Sequence, residues 1–225
     1  VVAGNVKAGE VFALAEKWFG DIPAGPAIDL QIPQEPAQTE PRHLEVKADV
    51  PVDAIYKAYR MGGRKEASYY AADLLRDILS TGESSRLYNA LVKEQKLFSS
   101  VSAYISETID PGLFLVEGKL NPGVTMQQAD AAIQALLAEL VQGGIHEKEL
   151  EKVKNKVESY LLFGETNILN RAMNLAYFEM LGDAALINEE VNKYKAVQLA
   201  DMSAQAAAIF KERNCNTMYY YSNKK

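Results

Sequence analysis

The chain has 225 residues, of which 48% are hydrophobic and 24% charged, enough apolar material for a substantial core in one large or two small domains. Its net charge of −6 argues against nucleic acid as a partner, because phosphate binding needs a clustered basic surface. No apolar run is long enough to cross a bilayer as a helix.

Val1–Asn5 is an apolar run ending in Gly-Asn and reads as a strand leaving into a turn. With neither Met nor a secretory signal at its head, the chain is expected to follow a removed segment. Residues 7–19 place Val11, Leu14, Ala15 and Trp18 on one helical face. Gly20 is expected to end that helix at positive φ. The next stretch holds Pro23, Pro26, Pro33, Pro36 and Pro41. Proline at this density forbids helix and removes backbone donors, so residues 23–41 read as an extended linker. The expected division is a domain tail at 1–22, this linker, and an α+β domain over 42–225.

Two strands follow the linker. In the first, Leu44, Val46 and Ala48 alternate with His43, Glu45 and Lys47; the second runs over 54–61, closed by Gly62-Gly63. A helix is predicted over 65–79, with Ala71, Leu74, Leu75 and Ile78 at core spacing. Another is predicted over 84–95, capped by Ser84 or Ser85. Strands at 98–106 and 113–120 are joined by an Asp110-Pro111-Gly112 turn. A long helix over 125–141 carries Ala129, Ile133, Leu136 and Leu140 on one stripe. From Glu147 the chain reads as mostly helical. Leu150, Val153, Val157 and Tyr160 form a stripe, and further helices are predicted over 168–181, 184–196 and 200–211. A last strand is expected at 217–221. Strands come in pairs and helices in blocks, which predicts α+β architecture: a mainly antiparallel sheet with helices layered on one face.

Chemistry is harder to find. The chain has two histidines, too few for a zinc site of usual composition. His146-Glu147-Lys148-Glu149-Leu150 fits the zinc motif H-x-x-E-H except at its last place, where Leu150 cannot ligate. The better reading puts His146 in a loop and Glu147 and Glu149 in a first helical turn, where carboxylates suit the dipole. His43 reads as a solvated strand residue. Cys215 excludes an internal disulfide and has no nucleophile signature around it. Gly62-Gly63-Arg64-Lys65 lacks the spacing of a phosphate loop and reads as a turn. Tyr219, Tyr220 and Tyr221 read as strand packing on both sheet faces. No residue of the chain is therefore expected to be catalytic, to bind a cofactor or to hold a metal.

Several segments nevertheless converge on one family. Val1–Val6, then Lys17-Trp18-Phe19-Gly20-Asp21-Ile22-Pro23, resembles the passage that closes the first domain of the M16 (insulinase, pitrilysin, processing-peptidase) zinc metallopeptidases. Leu79–Gly82 with Ser84-Ser85-Arg86-Leu87-Tyr88 is similar to that family's Leu-Gly-Gly, Ser-Ser-Arg-Leu signature. Gly144-Ile145 with Glu147–Lys154 is similar to its Gly-Ile, Glu-Glu-Leu-Glu-Lys helix start. The resemblance implies a processing-peptidase-like (LuxS/MPP-like) α+β domain. Its partners would be homologous M16 domains, in the same chain or in another subunit, around a chamber for the parent's peptide substrates. Zinc would sit in the preceding domain of the parent, with no cofactor in this chain. In the family's non-zinc half an Arg and, seven residues later, a Tyr hold substrate; Val92 and Ser99 stand at those places here. Neither side chain supplies a charged or phenolic hydrogen bond. The resemblance thus implies a non-catalytic, chamber-forming domain of the zinc-bearing half, the other reading being a domain of an inactive scaffold or processing subunit.

Overall fold

The computed structural model describes residues 1–26, 32–33 and 35–223. The chain divides into two units, one built from 1–37 and 159–189, the other from 38–158 and 190–225.

The second unit holds a five-stranded sheet: β1 (Arg42–Ala48), β2 (Ala54–Met61), β3 (Phe98–Ile105), β4 (Gly112–Leu120) and β5 (Cys215–Ser222). Spatial order is β1-β5-β2-β4-β3. β1 pairs in parallel with β5, and the other neighbours are antiparallel, so the mainly antiparallel α+β expectation holds.

One face of the sheet is covered. Ile55, Lys57 and Tyr59 of β2 stand in register with Gly118, Val116 and Phe114 of β4 and with Tyr219, Thr217 and Cys215 of β5. Against this face pack α2 (Ser68–Ser80), α3 (Met126–Val141) and α7 (Leu199–Ile209). Ala71, Leu74, Leu75 and Ile78 of α2, and Ala129, Ile133, Leu136 and Leu140 of α3, are all buried as their spacing predicts. Thr125 caps α3 through a full capping box with Gln128. α4 (Glu147–Gly164) buries Leu150, Val153 and Val157, but Tyr160, expected to continue that stripe, is 78% exposed. From Ser159 on, the helix belongs to the other unit. α6 (Glu190–Ala196) follows a 3₁₀ turn over Ala184–Glu189; sequence periodicity merges the two into one helix.

Two one-residue irregularities lie between α2 and β4. The segment expected as an ordinary helix over 84–95 is a π-helix at Tyr88–Glu94, and neither Ser84 nor Ser85 caps it. Ser84 Oγ instead accepts from Lys152 Nζ at 2.8 Å, while the Ser85 carbonyl accepts from Asn89 N–H at 3.0 Å. A register shift between Phe98 and Ser100 then leaves Ser99 as a bulge in β3.

In the other unit, Val1–Asn5 is irregular rather than a strand, and among the described residues no strand pairs with it. α1 (Ala8–Phe19) forms as expected, but Gly20 has φ −60°, so the chain leaves it without a left-handed residue. No residue of α1 is buried. α5 (Ile168–Leu181) is capped by the Asn167 side chain and buries Phe178 and Leu181. The expected linker lies partly outside the described residues, at 27–31 and 34; its described residues form neither helix nor strand.

Candidate functional site

Each residue considered for chemistry in the sequence has a local structural role. The backbone N–H of His146 donates to Glu149 Oε2 at 3.0 Å, closing the first turn of α4. His43 lies exposed on β1, its ring edge-on to Tyr219 with centroids 4.4 Å apart. Cys215 is buried at the start of β5. Among the described residues, no three His, Cys, Asp or Glu side chains gather as a metal would require. A zinc ion does not fit the described donor set of this chain.

The Ser-Ser-Arg segment is structural in a specific way. Arg86 donates from Nε and Nη2 to the two carboxylate oxygens of Glu149, at 2.8 and 2.6 Å, and also to the Gly144 carbonyl. One guanidinium therefore ties the entry of the π-helix to the start of α4. Burial pushes the Glu149 carboxyl up, but the hydrogen bond and charge of Arg86 outweigh it and hold the group below its ordinary value. A depressed folded value gives stability that is complete above the unfolded value and lost as pH falls through the folded one. Stability is therefore expected to decline below about pH 4.5. Arg86→Met is expected to shallow that decline, measured as urea midpoints between about pH 3 and 7.

Val92 lies half-buried on the π-helix, and Ser99 is the bulge residue. Ser99 Oγ donates to the Lys119 carbonyl at 3.2 Å. Between them Lys96 adopts φ 53°, its carbonyl held by Asn121 Nδ2 at 2.8 Å. A π-helix, a left-handed non-glycine residue and a bulge thus follow within thirteen residues, from Tyr88 to Ser100. Such irregularities concentrate where a fold shapes a site. Here they bring β3 alongside β4 at the sheet's edge.

The uncovered face of the sheet lies beside this segment. Ala54 and Tyr56 of β2, Glu117 and Lys119 of β4, and Ser100 and Ser102 of β3 line a shallow groove over the backbone of Gly118. Its floor is low because Ala54, Ser100 and Ser102 are small. Tyr56 stands directly across from Glu117, and Ser102 faces it from the other side. The Tyr104 hydroxyl reaches Glu117 Oε2 at 3.4 Å. Burial first, and the Glu117 charge second, push the phenols of Tyr56 and Tyr104 above their ordinary value, so both remain protonated donors. Sequence reading passes over Glu117, Tyr56 and Tyr104. The period-two alternation of β2 and β4 places them on the uncovered face, but only the register shows that they meet.

A model of the peptidase M16 inactive domain matches residues 1–157. Among curated proteins, the chain is 25% identical over 222 residues to the zinc protease PqqE of Helicobacter pylori, covering 97% of this chain and 50% of that protein. It is 28% identical over 220 residues to the uncharacterized zinc protease YmxG of Bacillus subtilis, covering 94% of this chain and 51% of that protein. The chain therefore spans about half the length of the curated relatives it matches. The crystal structure of a protease from Helicobacter pylori superposes with a TM-score of 0.91 at 24% identity, over 97% of this chain and 53% of that one.

Proposed function

Because this chain belongs to the peptidase M16 inactive-domain family, we propose that it is a chamber-forming wall of a zinc metalloendopeptidase acting on peptides or unfolded polypeptides. The zinc and its H-x-x-E-H motif would belong to a homologous domain, and this chain would supply surface rather than chemistry. Val92 and Ser99, in place of a substrate-holding Arg and Tyr, support placing it in the zinc-bearing half. Its uncovered sheet face would line the chamber, offering strand backbone and side chains to an extended chain.

One observation carries the partner. Phe12, Leu14, Trp18 and Phe19 of α1 are all more than half exposed, Trp18 at 68%. Twelve residues make a marginal helix alone in water, and most helices of that length are held by packing an apolar face. An apolar face this open fits a covering protein surface. The homologous domain, which the doubled length of the curated relatives accommodates, is the proposed cover.

The test combines this chain with a homologous domain carrying an intact H-x-x-E-H motif, using a quenched fluorescent peptide as substrate. Cleavage is expected from the pair and not from the chain alone with zinc. Trp18→Asp is expected to weaken the pair roughly thirtyfold, the effect of losing an aromatic anchor worth about 2 kcal/mol. Zinc-dependent cleavage by the chain alone, or association indifferent to Trp18, would overturn the reading.

A further inference from the structure

β1 is the outermost strand at the end of the sheet away from β3, and among the described residues only β5 pairs with it. Arg42, His43, Leu44, Glu45 and Lys47 are exposed, and Val46 and Ala48 are half-buried. The Ala48 carbonyl accepts from the Asn223 N–H at 2.9 Å, just past the end of β5. The N–H and C=O of one strand residue point to the same side, and successive residues alternate. Leu44 and Val46 therefore bond toward β5 as Ala48 does, while His43, Glu45 and Lys47 turn their backbone groups to the open edge. Such an edge is a template for another strand unless its charges forbid the match.

The charges of β1 permit one match with itself. Consider a second copy running antiparallel about a twofold axis at Val46. Glu45 then stands opposite Lys47, and Lys47 opposite Glu45, as pairs that exchange backbone hydrogen bonds. On the other face Val46 meets its own copy, and Leu44, 56% exposed in the single chain, meets Ala48. Neighbouring registers with the same backbone phase are worse. An axis at Glu45 sets Glu45 against Glu45, and one at Lys47 sets Lys47 against Lys47. An axis at Leu44 brings Lys47 opposite Pro41, which has no N–H to donate. Within the single chain the described partner of Glu45 is only the His43 ring, at 3.5 Å along its own strand.

We infer that β1 is a self-pairing edge: two copies of this chain join through antiparallel β1 strands centred on Val46, fusing two five-stranded sheets into one. Alternating Glu45 and Lys47 set the register, and Leu44 and Val46 supply the apolar contact. The pairing is independent of the chamber-wall reading and uses a different part of the chain from the exposed face of α1. A single strand ladder buries little surface, so the dimer is weak, with a dissociation constant on the order of 10 µM.

Sedimentation equilibrium at concentrations up to about 200 µM tests it, a range that brackets an affinity of that size. The unmodified chain is expected to pass from monomer to dimer. Glu45→Lys, on an exposed position, turns two attractive pairs into repulsive ones and is expected to weaken the dimer about tenfold. Adding Lys47→Glu to it reverses both charges and is expected to restore the dimer. Val46→Cys places two thiols at a pair whose Cα atoms lie about 4.5 Å apart, within disulfide reach. Mild oxidation is expected to give a 46–46 link, identified by peptide mass, with buried Cys215 left free. Trp18→Asp is expected to leave this dimer intact. A chain that stays monomeric throughout would overturn the pairing while leaving the chamber wall standing. So would a dimer that is indifferent to Glu45→Lys, one not restored by the double reversal, one that Trp18→Asp abolishes, or one that forms no 46–46 link.

Discussion

Asp130→Asn is expected to lower folding stability by about 3–5 kcal/mol, seen as a drop of roughly 10 °C in Tm or a matching shift in the urea midpoint. The reason lies at Lys57. This ammonium sits in the middle of β2, 2% exposed, on the face that the helices cover. It donates to Asp130 Oδ1 of α3 at 2.6 Å and to Thr217 Oγ1 of β5 at 2.9 Å. Tyr219 donates to Asp130 Oδ2 at 2.8 Å, and Gln134 adds a bond to Oδ1 at 3.0 Å. Burial pushes the Asp130 carboxyl up; Lys57, Tyr219 and Gln134 together bring it below the ordinary value. Removing the negative charge strands a buried ammonium, which costs more than the pair contributes. The double variant Lys57→Met with Asp130→Leu is therefore expected to regain most of the loss. If the double variant is no more stable than Asp130→Asn, the cost belongs to lost packing and not to a stranded charge.

Arg64→Met is expected to cost about as much, 3–5 kcal/mol, for the complementary reason: it leaves a buried anion. Arg64 follows the end of β2, where its backbone N–H donates to the Thr108 carbonyl at 2.9 Å. Its guanidinium donates to Glu190 of α6 and, at 3.0 Å, to the Tyr70 hydroxyl of α2. Tyr70 in turn donates to the second oxygen of Glu190 at 3.1 Å. The Tyr69 ring lies 4.6 Å from the guanidinium carbon. Glu190 is 5% exposed, so water cannot replace a lost partner. Arg64→Lys is expected to recover only part of the stability. A single ammonium keeps the charge but cannot lie flat on Tyr69 while forking between Tyr70 and Glu190. Equal stability of Arg64→Lys and the unmodified chain, by chemical denaturation, would place the value in charge alone.

Both clusters mark what the sequence hid. The apolar stripes of α2 and α3 were legible because helix burial follows a fixed period, and Leu74 or Ile133 cannot satisfy it elsewhere. The α+β class was legible for the same reason. Lys57 carried a subtler signal: it shares the strand phase of Ile55 and Tyr59, which puts it inside, but its partner lies on α3, far along the chain. Pairing of that kind is set by topology, not by spacing. The π-helix at Tyr88–Glu94 was invisible because one extra residue per turn leaves the hydrophobic pattern almost unchanged over seven residues. Gly20 misled through a general preference that this helix end does not use. In the candidate site, the mutual approach of Tyr56, Glu117 and Tyr104 needed three strands in register, and no single strand announces it. Arg86 stood inside a recognisable motif, yet its partner Glu149 emerged only when the two segments were folded together.

The order of the sheet has a consequence for how the protein is made. β5 is the last strand along the chain, yet it lies between β1 and β2, and its register ties Arg42 to Asn216. On a ribosome, β2, β4 and β3 can zip together through their antiparallel ladders as they emerge. β1, finished first, has nothing to pair with until Cys215 and the residues after it are released. A nascent chain stalled just before that point would carry a three-stranded sheet in which β2 as well as β3 is an open edge, and an orphaned β1, a form open to chaperones and to aggregation. Assembly of this sheet therefore closes, rather than opens, with the insertion of β5 between β1 and β2.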